Sequence, residues 1–287
     1  MTCETSGLFL LDKKPGVTSF AALDEIKKNL GTGKAGHTGT LDKFAGGLLL
    51  VLAGKAVKLA PWFSRCDKEY EGTIHFGVET DTLDPEGVSV FRAEIPSPGS
   101  VERALPLFTG DILQAPPAYS AVHVGGRRAS ELARAGKAPE MKRRPVSVYR
   151  LELTFWEPPL AGIRVSCSSG TYIRSLARDL ALAAGSRGHL AALTRTRVAG
   201  FHLSDAGGFC RPIDVSVIEA LGIPWLEINS RDVQKIIHGG PLEPILKDAV
   251  PHRTGEKRDS AAVFSDGSFI AMLEKKERSW KYGYVYS

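Results

Sequence analysis

The stretch that decides the fold is Gly36–Asp42 (GHTGTLD), which runs into the apolar segment Leu48–Leu52 (LLLVL). That segment has the length and composition of a buried strand. The turn before it places a carboxylate, that of Asp42, at the entrance to the strand. Loops held by a rigid scaffold often present reactive groups, and an aspartate there can serve as nucleophile or base. A surface turn whose Thr and Asp side chains satisfy nearby backbone groups is the alternative.

Strands and helices are predicted on both sides of this segment without regular alternation. Leu8–Leu11 reads as a short buried strand. Thr18 or Ser19 can cap a helix that extends to Leu30 and stops at Gly31. Further strands are predicted at 47–53, 70–78, 121–124, 146–156 and 163–167, and further helices at 100–108, 130–135 and 175–184. This order predicts an α+β fold with a mixed, largely antiparallel sheet flanked by helices and loops.

A domain boundary is predicted at Leu221–Pro224. Beyond it, Val263–Ala271 has the pattern of a hairpin and Tyr282–Tyr286 that of a last strand. We therefore expect two units: a large α+β domain over residues 1–224 and a small β-rich module over residues 225–287.

Charge and composition narrow the class of protein. The net charge is +5, and 43% of the 287 residues are hydrophobic, which is enough for a full core. The positive charge is concentrated, which favours a polyanionic partner such as nucleic acid, although solvated helix faces fit equally well. The basic residues concerned are Arg127, Arg128, Arg134, Lys137, Lys142, Arg143, Arg144 and Arg150, then Arg164, Arg174, Arg178, Arg187, Arg195 and Arg197.

Membrane, secretory and metal-binding classes are not expected. The longest weakly polar run, 44–54, is too short to span a bilayer, and no signal peptide is apparent. Four cysteines, at positions 3, 66, 167 and 210, have no metal-ligand spacing. We expect reduced thiols, no zinc and a cytoplasmic protein.

Three further patterns are ambiguous by themselves. Gly31–Gly36 matches G-x-G-x-x-G, but it follows a predicted helix, whereas a dinucleotide site needs a strand before it. Tyr172 and Arg174 lie two apart in a strand-like run and would share a face, where they could hold a nucleotide or simply pack on the sheet. Asp81 and Asp84 could be an acid/base pair, but their turn favours capping.

Taken together, these motifs resemble the TruB family of tRNA pseudouridine-55 synthases, from residue 8 to about residue 207. The order and spacing of several independent motifs make the resemblance specific. The matching segments are Asp12–Ser19, Gly36–Asp42, Lys68–Tyr70, Gly77, Thr80–Thr82 with Asp84, Gln114–Ala121, Gly170–Leu180 and Leu193–Val198.

The resemblance implies a pseudouridine-synthase catalytic domain followed by a PUA-like RNA-binding module. It also implies a role for each matching side chain. Asp42 would attack the flipped-out uridine, Tyr70 would stack on its base, and Arg174 would pair with the Asp42 carboxylate. The residues expected to contact the substrate are His37, Tyr172, Leu193, Lys14 and Arg197.

The implied substrate is the T-stem-loop of tRNA, isomerised at position 55. Isomerisation conserves all atoms, so no cofactor and no metal are expected. The implied enzyme works alone as a monomer, with the C-terminal module gripping the acceptor side of the tRNA. Two other functions are weighed against this one: an RNA-binding or tRNA-folding chaperone without catalysis, and a pseudouridine synthase acting on another RNA.

Lys43 departs from the family pattern, which usually has proline there, and this puts loop stiffness in question.

Overall fold

The computed structural model describes residues 6–31, 33–137, 139–251, 259–277 and 279–286. The strands of the first part are β1 (Gly7–Lys13), β2 (Ala35–His37), β3 (Gly46–Ala53), β4 (Lys68–Phe76), β5 (Val78–Thr80), β6 (Ser89–Arg92), β7 (Gly110–Gln114), β8 (His123–Val124), β9 (Arg127–Arg128), β10 (Arg144–Glu157), β11 (Leu160–Cys167), β12 (Gly188–Val198), β13 (Phe201–His202) and β14 (Cys210–Arg211). Those of the last part are β15 (Trp225–Glu227), β16 (Val250–Pro251), β17 (Ser260–Ser265), β18 (Ser268–Lys276) and β19 (Ser279–Val285). The helices are α1 (Asp24–Leu30), α2 (Ala60–Ser64), α3 (Pro98–Ala104), α4 (Ala129–Arg134), α5 (Ile173–Ala183), α6 (Val215–Ala220), α7 (Ser230–Ile237) and α8 (Leu242–Lys247).

One large sheet forms the centre of the first part, in the order β14-β1-β3-β12-β4-β11-β10-β7. Strand β13 pairs with β12, and β2 pairs with β3. Within this sheet β3 and β12 run parallel, and the other paired strands run antiparallel. The prediction of a mixed, largely antiparallel sheet in an α+β fold is therefore confirmed.

Strand β3 is buried along its whole length because both faces of the sheet are covered there. Leu48, Leu50 and Leu52 belong to one apolar cluster. Their alternate neighbours Leu49 and Val51 belong to another, on the side where α1 packs. A strand covered on both faces is apolar at every position instead of every second one, which explains the continuous run that stands out in the sequence.

The helical segment after β1 begins with a 3-10 turn at Ala21–Leu23, and α1 itself starts later than predicted, at Asp24. The two predicted cap residues, Thr18 and Ser19, make different contacts. The Thr18 hydroxyl accepts a hydrogen bond from the Ala21 N–H, at 3.1 Å. The Ser19 hydroxyl instead donates to the Leu41 carbonyl oxygen and accepts from the Leu41 N–H, at 2.9 and 2.8 Å. Ser19 therefore fixes the residue immediately before Asp42.

Two other predicted caps and strands differ from the structure. Helix α3 is capped by Ser97, whose side chain accepts from the Ser100 N–H, so the helix begins before Ser100. Proline at its first position makes this earlier start favourable. The strand predicted at 121–124 is reduced to the two residues of β8, which pair with β9 in a small hairpin.

The second sheet has the order β16-β15-β17-β18-β19. The predicted hairpin is confirmed: β17 and β18 are joined at Asp266 and Gly267, both of which have positive φ. Phe264, Phe269 and Met272 of this sheet share one apolar cluster with Trp62 of α2. The Trp62 indole N–H also donates to the Ser260 hydroxyl, at 3.2 Å. A domain boundary between residues 224 and 225 stays a prediction.

The expectation that all the cysteines are reduced is wrong for Cys210, which is disulfide-bonded. It lies on β14, whose pairing with β1 places Cys210 beside Phe9, close to the beginning of the chain. Sequence separation therefore gave no guide to its distance from other thiols. Cys66 and Cys167 are buried thiols that form no disulfide, and Cys3 lies outside the described residues. Within the described ranges, none of the helices is long and apolar enough to cross a membrane.

Gly47 is required where the parallel strands β3 and β12 meet. Its φ is +99°, and a Cβ there would lie 2.4 Å from the carbonyl oxygen of Arg195 and 2.7 Å from its amide nitrogen. Both neighbours are backbone atoms and cannot move aside as a side chain can. The glycine therefore allows the close approach that joins the two halves of the sheet.

We predict that Gly47→Ala destabilises the protein much more than Gly110→Ala. Gly110 has a similar φ of +95° but open space around it, so its substitution adds only backbone strain, roughly 1–3 kcal/mol. At Gly47 the steric clash adds roughly another 1–3 kcal/mol. Urea unfolding of both variants measures the difference, and equal free energies of unfolding would contradict the assignment of close packing to Gly47.

Candidate active site

A cavity of about 510 Å³ opens at the end of the large sheet where the Asp42 loop, β4, β12 and the start of α5 meet. Its lining contains five basic side chains and one carboxylate, that of Asp42. The charged and aromatic lining residues are Asp42, Lys68, Tyr70, Tyr119, Arg128, Arg134, Tyr172, Arg174 and Arg195, with Leu193 as an apolar wall.

Asp42 and Arg174 form a two-point ion pair at this cavity. The Arg174 Nη2 donates to Asp42 Oδ1 at 3.1 Å, and Nε lies 2.9 Å from Oδ2. Arg174 is 5% exposed, whereas a third of the Asp42 side chain remains open to the cavity. The two-point contact fixes the orientation of the carboxylate as well as its position.

The expectation that Tyr172 and Arg174 lie in a strand is wrong. Tyr172 is the cap residue of α5 and Arg174 is in its first turn. The helix begins there because Ile173, Leu176, Ala177 and Leu180 recur at helical spacing and pack on the sheet. Both side chains still line the same cavity, because the helix begins at its edge.

Arg174 contacts three loops besides its own helix. Its Nη1 donates to the Thr82 carbonyl oxygen at 2.9 Å and to Asp84 Oδ2 at 3.1 Å. Its Nη2 also donates to the Tyr119 carbonyl oxygen at 3.0 Å. The guanidinium therefore joins the Asp42 loop, the 80–87 turn and the proline-rich segment at one point.

Asp84 is the site residue that the sequence reasoning underestimated. The prediction that it caps its turn fits the geometry: its Oδ1 accepts from the Thr82 hydroxyl at 2.5 Å and from the Glu86 N–H at 3.0 Å. Its other oxygen is free to pair with Arg174. The buried carboxylate of Asp84 thus both caps its turn and pairs with Arg174. The turn motif alone indicated only the capping.

The pKa of the Asp42 carboxyl is raised above its ordinary value. Burial is the largest cause, because it disfavours the charged form. The neighbouring charge of Arg174 lowers the pKa, and those of Asp84 and Glu86 raise it. The carboxylate is thus poorly solvated but held ionised by an arginine, which suits a nucleophile or base.

The backbone around Asp42 is fixed by contacts on both sides. Besides the Ser19 contacts at Leu41, the Asp42 carbonyl oxygen accepts from the Ala45 N–H at 3.2 Å, and that of Lys43 accepts from the Gly16 N–H at 2.7 Å. The Lys43 ammonium lies 3.5 Å from Glu86 Oε1. These bonds hold the loop at the position where the family usually has proline.

Tyr70 and Leu193 face the cavity from neighbouring strands. On β12, Leu193 pairs with Gly72 of β4, two residues from Tyr70. Both side chains are more than nine-tenths buried, and burial raises the pKa of the Tyr70 hydroxyl. Because an aromatic and a branched apolar side chain line one slot beside Asp42, a planar base can be held there.

Tyr172 is positioned by a side chain that sequence reasoning did not single out. Its N–H donates to Gln114 Oε1 at 2.8 Å, and the Gln114 Nε2 donates back to its carbonyl oxygen at 3.1 Å. The Gln114 amide thus pairs with the Tyr172 backbone through both of its polar atoms. Gln114 stands at the start of the proline-rich segment, which was the available signal.

The remaining predicted residues lie outside the lining of this cavity. His37 is on β2, and burial and the charge of Arg195 lower its pKa, which favours a neutral ring. Lys14 is exposed and pairs with Asp12. Arg197 donates to Glu69 at 2.6 Å and to the Ala199 carbonyl oxygen at 2.7 Å.

Comparison with known proteins first defines the class. The chain has the fold seen in the crystal structure of a Cbf5–Nop10–Gar1 complex, with 25% identity and a TM-score of 0.71 over 98% of this chain and 84% of that one. The same fold occurs in an H/ACA RNP bound to a substrate RNA containing 2′-deoxyuridine, at a TM-score of 0.70. Residues 27–173 match the N-terminal domain of the TruB family pseudouridylate synthases. The chain is therefore a pseudouridine synthase.

More particularly, the chain belongs to the TruB family. It is 45% identical to tRNA pseudouridine synthase B of Borreliella burgdorferi over 204 residues, which cover 70% of this chain and 72% of that protein. It is 44% identical to the protein of the same name from Borrelia garinii subsp. bavariensis over 246 residues, covering 83% and 86%. The resemblance noted in the motifs is confirmed.

We predict that Asp84→Asn shifts the acid limb of the pH–rate profile to lower pH. The substitution removes a negative charge that raises the pKa of Asp42, so Asp42 remains ionised to lower pH. It also takes one partner from a buried ion pair, which costs on the order of 3 kcal/mol of stability. Single-turnover rates across pH and urea unfolding measure the two effects.

Asp81→Asn is the matched control, because Asp81 is in the same turn but bonds to the Val88 N–H and the Tyr119 hydroxyl instead of Arg174. Its acid limb should stay at the wild-type pH. An unshifted limb in Asp84→Asn, or an equal shift in both variants, would contradict the coupling of Asp84 to Asp42.

Proposed function

We propose that this protein isomerises uridine 55 in the T-loop of tRNA, with Asp42 attacking the sugar of the flipped-out nucleotide. As a member of the TruB family it is an isomerase that converts uridine to pseudouridine in tRNA. The observation that carries the proposal is the carboxylate of Asp42, held at two points by a buried arginine beside a slot lined by Tyr70 and Leu193.

The slot offers the stacking that a flipped base needs. Leaving the loop stack costs the base a few kcal/mol, and stacking on an aromatic ring returns roughly 1–3 kcal/mol. Tyr70 supplies that ring from a strand, and Leu193 packs against the other side. Because both residues are held by paired strands of the sheet, the slot is formed before RNA arrives.

The proposed reaction conserves every atom. The bond between N1 of uracil and C1′ of ribose breaks, the ring rotates, and a bond forms between C5 and C1′. The proton on C5 is lost and N1 gains one, so no oxidant, reductant or leaving group is consumed. Arg174 holds Asp42 in place for the attack on C1′.

Positive charge around the cavity supports an RNA substrate. Arg128 and Arg134 line its entrance from the β9–α4 segment, and the neighbouring Arg127, Lys137 and Arg143 are exposed. Phosphate contacts by such side chains provide affinity without reading the base. We assign the same role to His37, Lys14 and Arg197, which lie outside the cavity.

The rest of the proposal concerns the whole chain. We assign catalysis to residues 1–224 and contact with the acceptor side of tRNA to the PUA-like module of residues 225–287. We also propose that the enzyme acts as a monomer in the cytoplasm, where its tRNA substrate is modified.

We predict that Asp42→Asn abolishes pseudouridine formation and leaves tRNA affinity within about threefold of wild type. The amide keeps the size of the side chain but removes the nucleophile, whereas most of the affinity comes from phosphate contacts. Carbodiimide-dependent primer extension on unmodified tRNA locates any pseudouridine, and filter binding measures affinity.

Asp24→Asn serves as the control, because Asp24 is an exposed residue of α1 that pairs with Lys27 at the surface. It should form pseudouridine at the wild-type rate. Turnover by Asp42→Asn would overturn the catalytic assignment. Wild-type protein that binds and refolds tRNA without modifying it would indicate the chaperone function, and modification elsewhere would move the substrate to another site or RNA.

A further inference from the structure

Arg195 is a buried cation that the proposed steps have not used. It is 2% exposed and is the largest of the fully buried side chains. None of the ion pairs within 4.0 Å among the described residues includes it. Buried charges are normally paired, since burying an isolated charge is expensive. A buried guanidinium without a carboxylate partner in a cavity wall is therefore a sign of function.

The guanidinium is fixed by backbone carbonyls. Its Nε donates to the Leu48 carbonyl oxygen at 2.7 Å, and its Nη2 donates to that of Gly39 at 3.1 Å. Arg195 therefore ties the loop that carries Asp42 to strand β3. The side chain of Arg195 also hydrogen-bonds that of Tyr70, and its guanidinium has five N–H groups in all, so these contacts do not use every donor.

The position of Arg195 relative to the base slot follows from strand pairing. It lies directly across from Tyr70 in the β12–β4 ladder and two residues from Leu193 on the same strand, so it shares their face of the sheet. Lys68 lies in the same wall, with its ammonium donating to the carbonyl oxygens of Ser64 and Cys66. This side of the cavity carries only positive charge.

Around Arg174 the buried charge is balanced. There Arg174 lies between two carboxylates, those of Asp42 and Asp84. When the N1–C1′ bond breaks, its electron pair leaves with uracil. The negative charge then passes from Asp42, which becomes neutral through its new bond, to the ring. If Asp42 instead removes a proton from the sugar, it also ends neutral and uracil again holds the charge.

We propose that Arg195 is a catalytic residue whose guanidinium stabilises the negative charge on the uracil ring while it is detached from the sugar. This inference rests on the proposed function. The charge is consumed when C5 bonds to C1′, and the C5 proton is then exchanged for one on N1. Electrostatic stabilisation of charge that develops only during reaction raises the rate more than the affinity.

A phosphate group of the RNA fits this position less well. Phosphates remain on the backbone at the mouth of a cavity, where the exposed Arg128 and Arg134 are available. Arg195 is buried on the face that Tyr70 and Leu193 share, which is where a flipped base enters. The two candidate ligands can be distinguished, because a phosphate contact would contribute to tRNA affinity, whereas stabilisation of the detached uracil would contribute to the rate.

The test compares Arg195→Met on two substrates, tRNA with uridine and tRNA with 5-fluorouridine at the target position. Fluorine withdraws electrons, so the fluorinated ring stabilises negative charge by itself and depends less on the charge of Arg195. We expect the single-turnover rate on uridine to fall by about 100-fold or more, and the rate on 5-fluorouridine to fall at least tenfold less. Nuclease digestion and chromatography follow the loss of each nucleoside, and filter binding should give a tRNA affinity close to wild type.

Arg164→Met is the matched control, since Arg164 is a half-exposed arginine of β11 that pairs with Glu71 at the surface. It should react at the wild-type rate with both substrates. Equal losses on uridine and 5-fluorouridine in Arg195→Met would assign Arg195 a purely positional role and overturn the proposal. A loss of affinity with the saturated rate intact would indicate a phosphate contact and overturn it as well.

Two more variants keep the test decisive if Arg195→Met does not fold. Arg195→Gln retains donors for the Gly39 and Leu48 carbonyls without the charge, and should show the same substrate-dependent loss. Arg195→Lys retains the charge and should lose less than Arg195→Gln on uridine; the reverse order overturns the proposal. Failure of the proposed function has its own signature, because wild-type protein would then form no pseudouridine at all.

Discussion

The site depends on one buried side chain, the guanidinium of Arg174. It binds Asp42 at two points and also holds Asp84 and the carbonyl oxygens of Thr82 and Tyr119. Five donors in a rigid plane can fix several partners in set directions, whereas a lysine offers three donors on a flexible stem. Three loops that are far apart in the chain therefore take up their positions around one cation. Apolar residues pack the helix that carries Arg174 against the sheet. This packing in the core keeps the site rigid.

Polar groups around the cavity are arranged for reactivity at some cost to stability. Burial raises the pKa of Asp42 and lowers those of Lys13 and Lys68, so each of these charged forms is held against its tendency to neutralise. A core built only for stability would avoid such groups. Here they lie at and near the cavity that Asp42 lines, where we propose that a base is detached and turned. The close approach at Gly47 belongs to the same arrangement, since it pairs the backbone of Arg195 with β3 while the Arg195 side chain bonds to Gly39 of the Asp42 loop.

Much of the fold follows from the sequence because its signals are local. The continuous apolar run predicted β3, helical spacing predicted α1 and α5, and alternation predicted β10, β11 and the C-terminal hairpin. The predictions were wrong where one local sequence pattern is compatible with two different structures. Tyr172–Arg174 has strand-like composition but begins a helix, because the apolar spacing that follows decides the matter. The cap of α3 is Ser97 and not Ser100, because either serine beside Pro98 is a suitable cap residue and the sequence does not distinguish them.

The sequence by itself determined the family, the element types and the choice of Asp42 as the candidate nucleophile, since these depend on short motifs and on their order. Only the tertiary structure decided which charges meet. Arg174 is 132 residues from Asp42 and 90 from Asp84, and Arg195 is 156 from Gly39. No local pattern records such distances, because they are set by strand order and by how α5 packs on the sheet. The structure also distinguished Arg174, which pairs with two carboxylates, from the buried Arg195, which has no carboxylate partner among the described residues, because pairing depends on position in space and not on residue type.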